Sequence, residues 1–193
     1  MRDVTASMLD LPKDLNSEKQ GISYTLLGNL LARGEWKESN DLTDQLIMQV
    51  SGSNWWNGEF VKQFPQKDLH IINALWLHHS NGRFGFSVQR EIWQHYGSFR
   101  DCPSGVLQPG KSWTESVQLC RDWWKQFRGF ATRIGWCENN LWWIAYPRDF
   151  TYDLSAPPGH LPGYCYSYGV GMLAGLNQDQ TGWSGWSVLD RLA

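Results

Sequence analysis

Residues 68–96 read DLHIINALWLHHSNGRFGFSVQREIWQHY, and this stretch decides the fold. Asp68 has the chemistry of an N-cap. Leu69, Ile72, Leu75, Trp76 and His79 follow at the three- and four-residue spacing of one helix face. Ser80-Asn81-Gly82 breaks that helix, and Ser87 is placed to cap a second one over Val88–Tyr96, with Ile92, Trp93 and Tyr96 on one side. Between them, two phenylalanines flank a glycine. Gly85 lets backbone approach closely, and Phe84 and Phe86 can point into a cleft. For Phe86 the plainer reading is a staple on the following helix.

The helical pattern extends in both directions. Ile22, Leu26, Leu27, Leu30 and Leu31 fall on one face, with Gly34 as the stop. Trp36, Leu42, Leu46, Ile47 and Val50 continue at helical spacing until Gly52, so two helices meet at Gly34 as an αα-hairpin. Ser51–Asn57, with Trp55 and Trp56, and Arg100–Lys111 read as loops. Thr114–Phe130 presents Val117, Cys120, Trp124 and Phe127 as one more helical stripe. Leu141–Leu154 suits short strands or an irregular aromatic loop, and Pro157-Pro158-Gly159 a turn. Tyr164–Leu176 suits a glycine-loosened helix. The sum is an all-α domain, expected over residues 21–176, with a polar leader over 1–20 and a polar tail over 177–193.

Composition narrows the function. The chain has 193 residues and a formal net charge of -2, which argues against a broad nucleic-acid face because phosphate binding needs excess Lys and Arg. No apolar run approaches a membrane span. Thirteen tryptophans are hard to hide in one small core, so some are expected on a cleft or surface. Cys102, Cys120, Cys137 and Cys165 show no zinc-like spacing, and no apolar leader precedes them, so reduced thiols are the default expectation.

Catalytic signatures are weak. Cys165 follows His160 closely, but there is no nucleophile elbow and no papain-like context. His78 and His79 point about 100° apart on a helix, so one is expected to face solvent rather than both to hold a metal. Glu35, Glu38, Asp41 and Asp44 sit near a helix start, where negative charge suits the dipole. Gly169 and Gly171 lack the strand and acidic residue of a dinucleotide fingerprint. None of these features points to a catalytic or metal centre by itself.

The string GRFGFSVQ, with FPQKDL and LWLHHS before it and an Ile-Trp pair after it, resembles the genomes-uncoupled-four tetrapyrrole-binding family. Glu35–Thr43 resembles the family's W-x-x-A-[DN]-x-x-T helix, Ile134-Gly135-Trp136 its VGW, and Ala156–Pro162 its GHLP turn. The likeness covers roughly residues 22–164.

That resemblance implies a cupped all-helical fold and a non-enzymatic role. The ligand it implies is protoporphyrin, magnesium protoporphyrin or a bilin. The partner it implies is magnesium chelatase in chlorophyll synthesis, through its porphyrin-binding subunit, together with tetrapyrrole signalling. A porphyrin is a flat apolar disc with carboxylates on one edge. It needs aromatic walls and cations or backbone N–H groups at the mouth. The expected ligand residues are Arg83, Phe84, Phe86, Gln89, Phe150, Tyr152, Cys165 and Tyr168, with Arg133 and Arg148 as further mouth cations. Three of these positions depart from the family. Phe150-Thr151-Tyr152 stands where a Phe-x-Trp element is usual, and Cys165 and Tyr168 stand in register with an Asn and an Arg. Losing that arginine removes a charge-assisted contact worth roughly 1.5–3 kcal/mol. The expectation is therefore a divergent tetrapyrrole binder. The opposing reading is the same fold serving as an interaction or signalling module without pigment. A third is a sugar- or protein-binding surface built on Trp142, Trp143, Trp183 and Trp186. The expected location is a cyanobacterial-type cytoplasm, touching thylakoids through a partner, or a chloroplast stroma.

Overall fold

The computed structural model describes residues 11–52, 64–96, 110, 112–139, 142–144 and 147–163. Five helices and one short hairpin account for the regular structure among them: α1 Thr25–Ala32, α2 Trp36–Ser51, α3 Gln66–His79, α4 Phe86–Gln94, α5 Trp113–Arg133, β1 Cys137–Glu138 and β2 Trp142–Trp143. The two strands pair antiparallel, Cys137 opposite Trp143 and Glu138 opposite Trp142. The helical reading of Tyr164–Leu176, the tail from 177, and Trp55, Trp56, Cys102, Cys165 and Tyr168 lie outside the described residues.

The αα-hairpin forms as its punctuation requires. Gly34 at φ 71° turns the chain after α1, and Gly52 at φ 67° closes α2 in the left-handed conformation that glycine adopts without a Cβ penalty. The α1 stripe is narrower than expected. Leu27 and Leu31 are buried one turn apart, whereas Leu26, a third of a turn away, is 56% exposed. The buried face of α2 runs through Trp36, Ser39, Asn40, Thr43, Leu46, Ile47 and Val50, so its first half is polar and buried at once.

Helix α3 is the centre of the domain. Leu69, Ile71, Ile72, Leu75, Trp76 and Leu77 are all buried, so the helix is covered on nearly every side rather than along one stripe. α1 packs against both α2 and α3, and α4 packs against α5. His78 is exposed and His79 half-buried, and burial, then its neighbour His78, lowers the proton affinity of His79.

Two caps differ from the sequence reading. α3 begins at Gln66 with Pro65 before it, so Asp68 lies inside the first turn and is not its N-cap. Its carboxylate is buried and accepts from the Tyr24 hydroxyl at 2.6 Å and from the Glu18 amide at 3.2 Å. α4 begins at Phe86, and Ser87 does not cap it. The Ser87 N–H instead donates to Asn73 Oδ1 on α3 at 2.9 Å, so a neighbouring helix satisfies this end. Helix α5 carries a capping box: Ser112 Oγ accepts from the Glu115 amide, and Glu115 Oε2 accepts from the Ser112 amide at 2.7 Å.

Residues 11–20, within the stretch read as a leader, fold back on the domain. Tyr24 N–H donates to Leu15 O at 2.8 Å, and Lys67 Nζ meets Asp14 Oδ2 at 2.7 Å. Among the described residues, no helix is long and apolar enough to cross a membrane.

Candidate functional site

The site is built where two loops meet. The first, Ser80–Gly85, leaves α3 through Asn81 at φ 53° and Gly82 at φ 75°. Ser80 Oγ donates to Trp76 O at 2.7 Å and accepts from the Phe84 amide at 2.8 Å, so the helix end and the loop share one hydroxyl. Gly85, at φ 133°, brings its backbone against Asn73: a Cβ there would sit 3.1 Å from Asn73 Oδ1.

The second loop, Ala156–Gly163, is fastened to the first from both sides. Gly85 N–H donates to Leu161 O at 3.0 Å, and Gly159 N–H donates to Arg83 O at 2.9 Å. The Arg83 guanidinium donates through Nε to Ala156 O at 2.8 Å. Gln89 reaches from α4 and donates from Nε2 to Gly159 O and Pro162 O, each at 2.9 Å. On the far side, Asn40 Oδ1 of α2 accepts the Gly163 amide at 2.7 Å. The bond between Leu161 and Pro162 is cis.

An aromatic layer underlies this frame. Phe84 stands edge-on to Trp36 at 5.5 Å and to Trp76 at 6.4 Å. Trp76 donates its indole N–H to Thr43 Oγ1 at 3.1 Å, and the Thr43 hydroxyl donates to Ser39 O at 2.7 Å. This explains the buried polar half of α2: Trp36, Asn40 and Thr43 support the ring layer, the second loop and the central tryptophan in turn.

A second layer follows His160. Its Nδ1 lies 2.8 Å from Ile134 O, and its Nε2 lies 3.3 Å from the Thr151 amide. Since Ile134 O only accepts and Thr151 N–H only donates, the ring is neutral with its proton on Nδ1. Burial pushes its proton affinity below the ordinary histidine value, and the Ile134 carbonyl works against that shift. Phe150 lies 4.4 Å from the His160 ring and 6.2 Å from Tyr152. Trp136 donates its indole N–H to His160 O at 2.8 Å.

Tyr152 is the half-buried end of this row. Its hydroxyl donates to Pro147 O at 3.1 Å, and Lys37 Nζ stands 6.0 Å from its ring centre while paired with Asp41 at 2.7 Å. Burial first, and then the carboxylates of Asp41 and Asp44, hold the phenol above its usual range.

The structure thus gathers Arg83, Gln89, Phe150 and Tyr152 around the second loop. Phe84 and Phe86 are fully enclosed in the core rather than facing solvent, and Gln89 is spent on two loop carbonyls. Arg148 is exposed and paired with Asp149, and Arg133 ends α5 at the surface. Of the described tryptophans whose side chains are placed, Trp36, Trp76, Trp93 and Trp136 are buried and Trp113 is 61% exposed. Sequence reading passed over Lys37, Asn73 and the bonds made by His160. Among the described residues, no group of three His, Cys, Asp or Glu gathers to hold a metal.

An all-α domain with a buried ring layer and two clamped glycine-bearing loops is the class that this geometry defines. The chain belongs to the GUN4-like family, whose match covers residues 17–179. It is 36% identical over 148 residues to the Ycf53-like protein of Synechocystis, covering 74% of this chain and 52% of that one. It is 28% identical over 146 residues to the protein of Arabidopsis thaliana named tetrapyrrole-binding protein, chloroplastic, covering 72% of this chain and 47% of that one. The structure of GUN4 from Chlamydomonas reinhardtii superposes with a TM-score of 0.56 at 26% identity, covering 90% of this chain and 91% of that one. The chain spans about half the length of the curated relatives it matches.

Proposed function

We propose that this chain is a non-catalytic binding protein for a tetrapyrrole: protoporphyrin, magnesium protoporphyrin or a bilin. The observation that carries the reading is family membership over residues 17–179, together with a relative named for tetrapyrrole binding. The Phe150–Tyr152 row supports it, because a half-buried ring with an ammonium close by offers one aromatic wall and one cation to a disc with an acidic edge. The proposed ligand residues are Tyr152, Phe150, Arg83, Cys165 and Tyr168, with Phe84, Phe86 and Gln89, all buried, as further members of the set. The role that follows is regulatory, through the porphyrin-binding subunit of magnesium chelatase, in a cyanobacterial-type cytoplasm beside thylakoids or in a stroma.

The complete enclosure of Phe84 and Phe86 favours a second reading, in which the fold serves as an interaction module without pigment. Titration with protoporphyrin, magnesium protoporphyrin, haem and biliverdin, read by pigment absorbance and tryptophan quenching, separates the two. Saturable binding of one pigment supports the first reading, and silence with all four supports the second.

A further inference from the structure

We infer that His160 is the positioning residue of the proposed ligand wall. Its neutral ring bridges Ile134 O and the Thr151 N–H and so sets Phe150 and Tyr152, and a second proton on the ring undoes that setting. This rests on the ligand reading above.

The geometry leaves the ring little choice. It is 2% exposed. One face lies against Phe150 at 4.4 Å, and a Cβ on Gly135 would come within 3.1 Å of Nδ1. The backbone on both sides of the ring is also held, by His160 N–H to Pro157 O at 3.1 Å and by Trp136 Nε1 to His160 O at 2.8 Å. The ring therefore cannot turn away when its protonation changes. A proton on Nε2 converts the acceptor of the Thr151 amide into a donor, and two donors then face each other across 3.3 Å. Ile134 O already holds the other nitrogen, so the Thr151 segment is the side that yields.

Among the described residues, the ring meets a carbonyl from the end of α5 and an amide and a ring from residues 150–151, with Gly135 beside Nδ1. Among the described residues, burial and the Ile134 carbonyl are the causes acting on its proton affinity, and no charged side chain is one of them. The charged residues nearest in sequence are engaged elsewhere: Arg148 with Asp149, and Asp153 with the Ser155 amide.

Two arms test the inference on the whole chain. In the ligand-free arm, the His160 ring nitrogens and the Thr151 amide are followed by nitrogen-15 NMR from about pH 8 to about pH 4, far enough below the ordinary histidine value to protonate a ring whose proton affinity burial has lowered. The expected result is a proton on Nδ1 at the upper end and a Thr151 resonance that moves with the midpoint of the ring. In His160→Gln, whose side-chain carbonyl reaches toward the same amide, Thr151 stays still over that range. A static Thr151 amide while His160 titrates overturns the inference, as does a ring protonated on Nε2 at the upper end. In the second arm, protoporphyrin affinity is read at both pH limits. Wild type is expected to lose severalfold more affinity than His160→Gln on acidification, and equal losses overturn the inference. Absence of binding by wild type at the upper limit defeats the ligand reading alone. If the variant does not fold, the wild-type NMR arm decides.

Discussion

Asn40 Oδ1 accepts the Gly163 amide at 2.7 Å, although 123 positions separate the two residues. One amide side chain on α2 thus fixes the end of the second loop, and both partners are buried. Asn40→Leu leaves that amide without its acceptor and is expected to cost about 1–3 kcal/mol of stability in urea unfolding. A loss of about 0.5 kcal/mol or less, as for a substitution at the surface, would mean that the bond contributes nothing.

Thr43 and Trp76 form the next support. Thr43→Val keeps the shape but removes the acceptor of a buried indole N–H, and thermal or urea unfolding should show a loss of about 1–3 kcal/mol. Thr43→Ser retains the hydroxyl and should recover most of it. The expectation fails if valine is tolerated as well as serine.

Gly85 sits at φ 133° and ψ 160°, a region essentially reserved for glycine, and its missing Cβ leaves room for Asn73 Oδ1. Gly85→Ala should destabilise by about 1–3 kcal/mol. Gly82→Ala, at φ 75° in open space, carries the backbone strain without the crowding and should cost ~1 kcal/mol. The reverse order in a chemical-denaturation series would contradict the packing described at Asn73.

His160 makes stability depend on pH in a set direction. Its folded-state proton affinity lies below the ordinary value of 6.5, so the unfolded chain takes up the proton first as pH falls. The contribution is complete above about pH 6.5 and is lost progressively as pH drops from there toward the folded value. Unfolding free energies of wild type and His160→Gln, compared across that window, should converge as pH falls. Parallel curves would exclude this origin.

Much of this architecture was legible in the sequence, because helix faces and their breakers are local signals. Gly34 and Gly52 end their helices where the pattern placed the stops, and the repeat of buried positions through α2 follows directly from the period of the helix. The end of α4 was not legible, since the acceptor that serves it is Asn73, on another helix. Asp68 misled for a related reason: a good capping side chain was used instead for a buried tyrosine hydroxyl 44 positions away. Phe84 read as cleft wall because its loop is glycine-flanked. Only the fold shows that Trp36 and Trp76 close over it. The capping box at Ser112-Trp113-Thr114-Glu115 was present in the sequence and sets the start of α5. His160 is a lone histidine in a turn until the fold brings Ile134 and Thr151 to its two nitrogens.

On the proposed reading, a tetrapyrrole lies against the Tyr152 end of the Phe150–Tyr152 row. A crystal structure of the chain saturated with its best-bound pigment tests this most directly. The disc is expected in contact with the Tyr152 ring, with Lys37 within reach of a ligand carboxylate. A pigment seated away from Tyr152, on a surface that shares no residue with the two clamped loops, would contradict it.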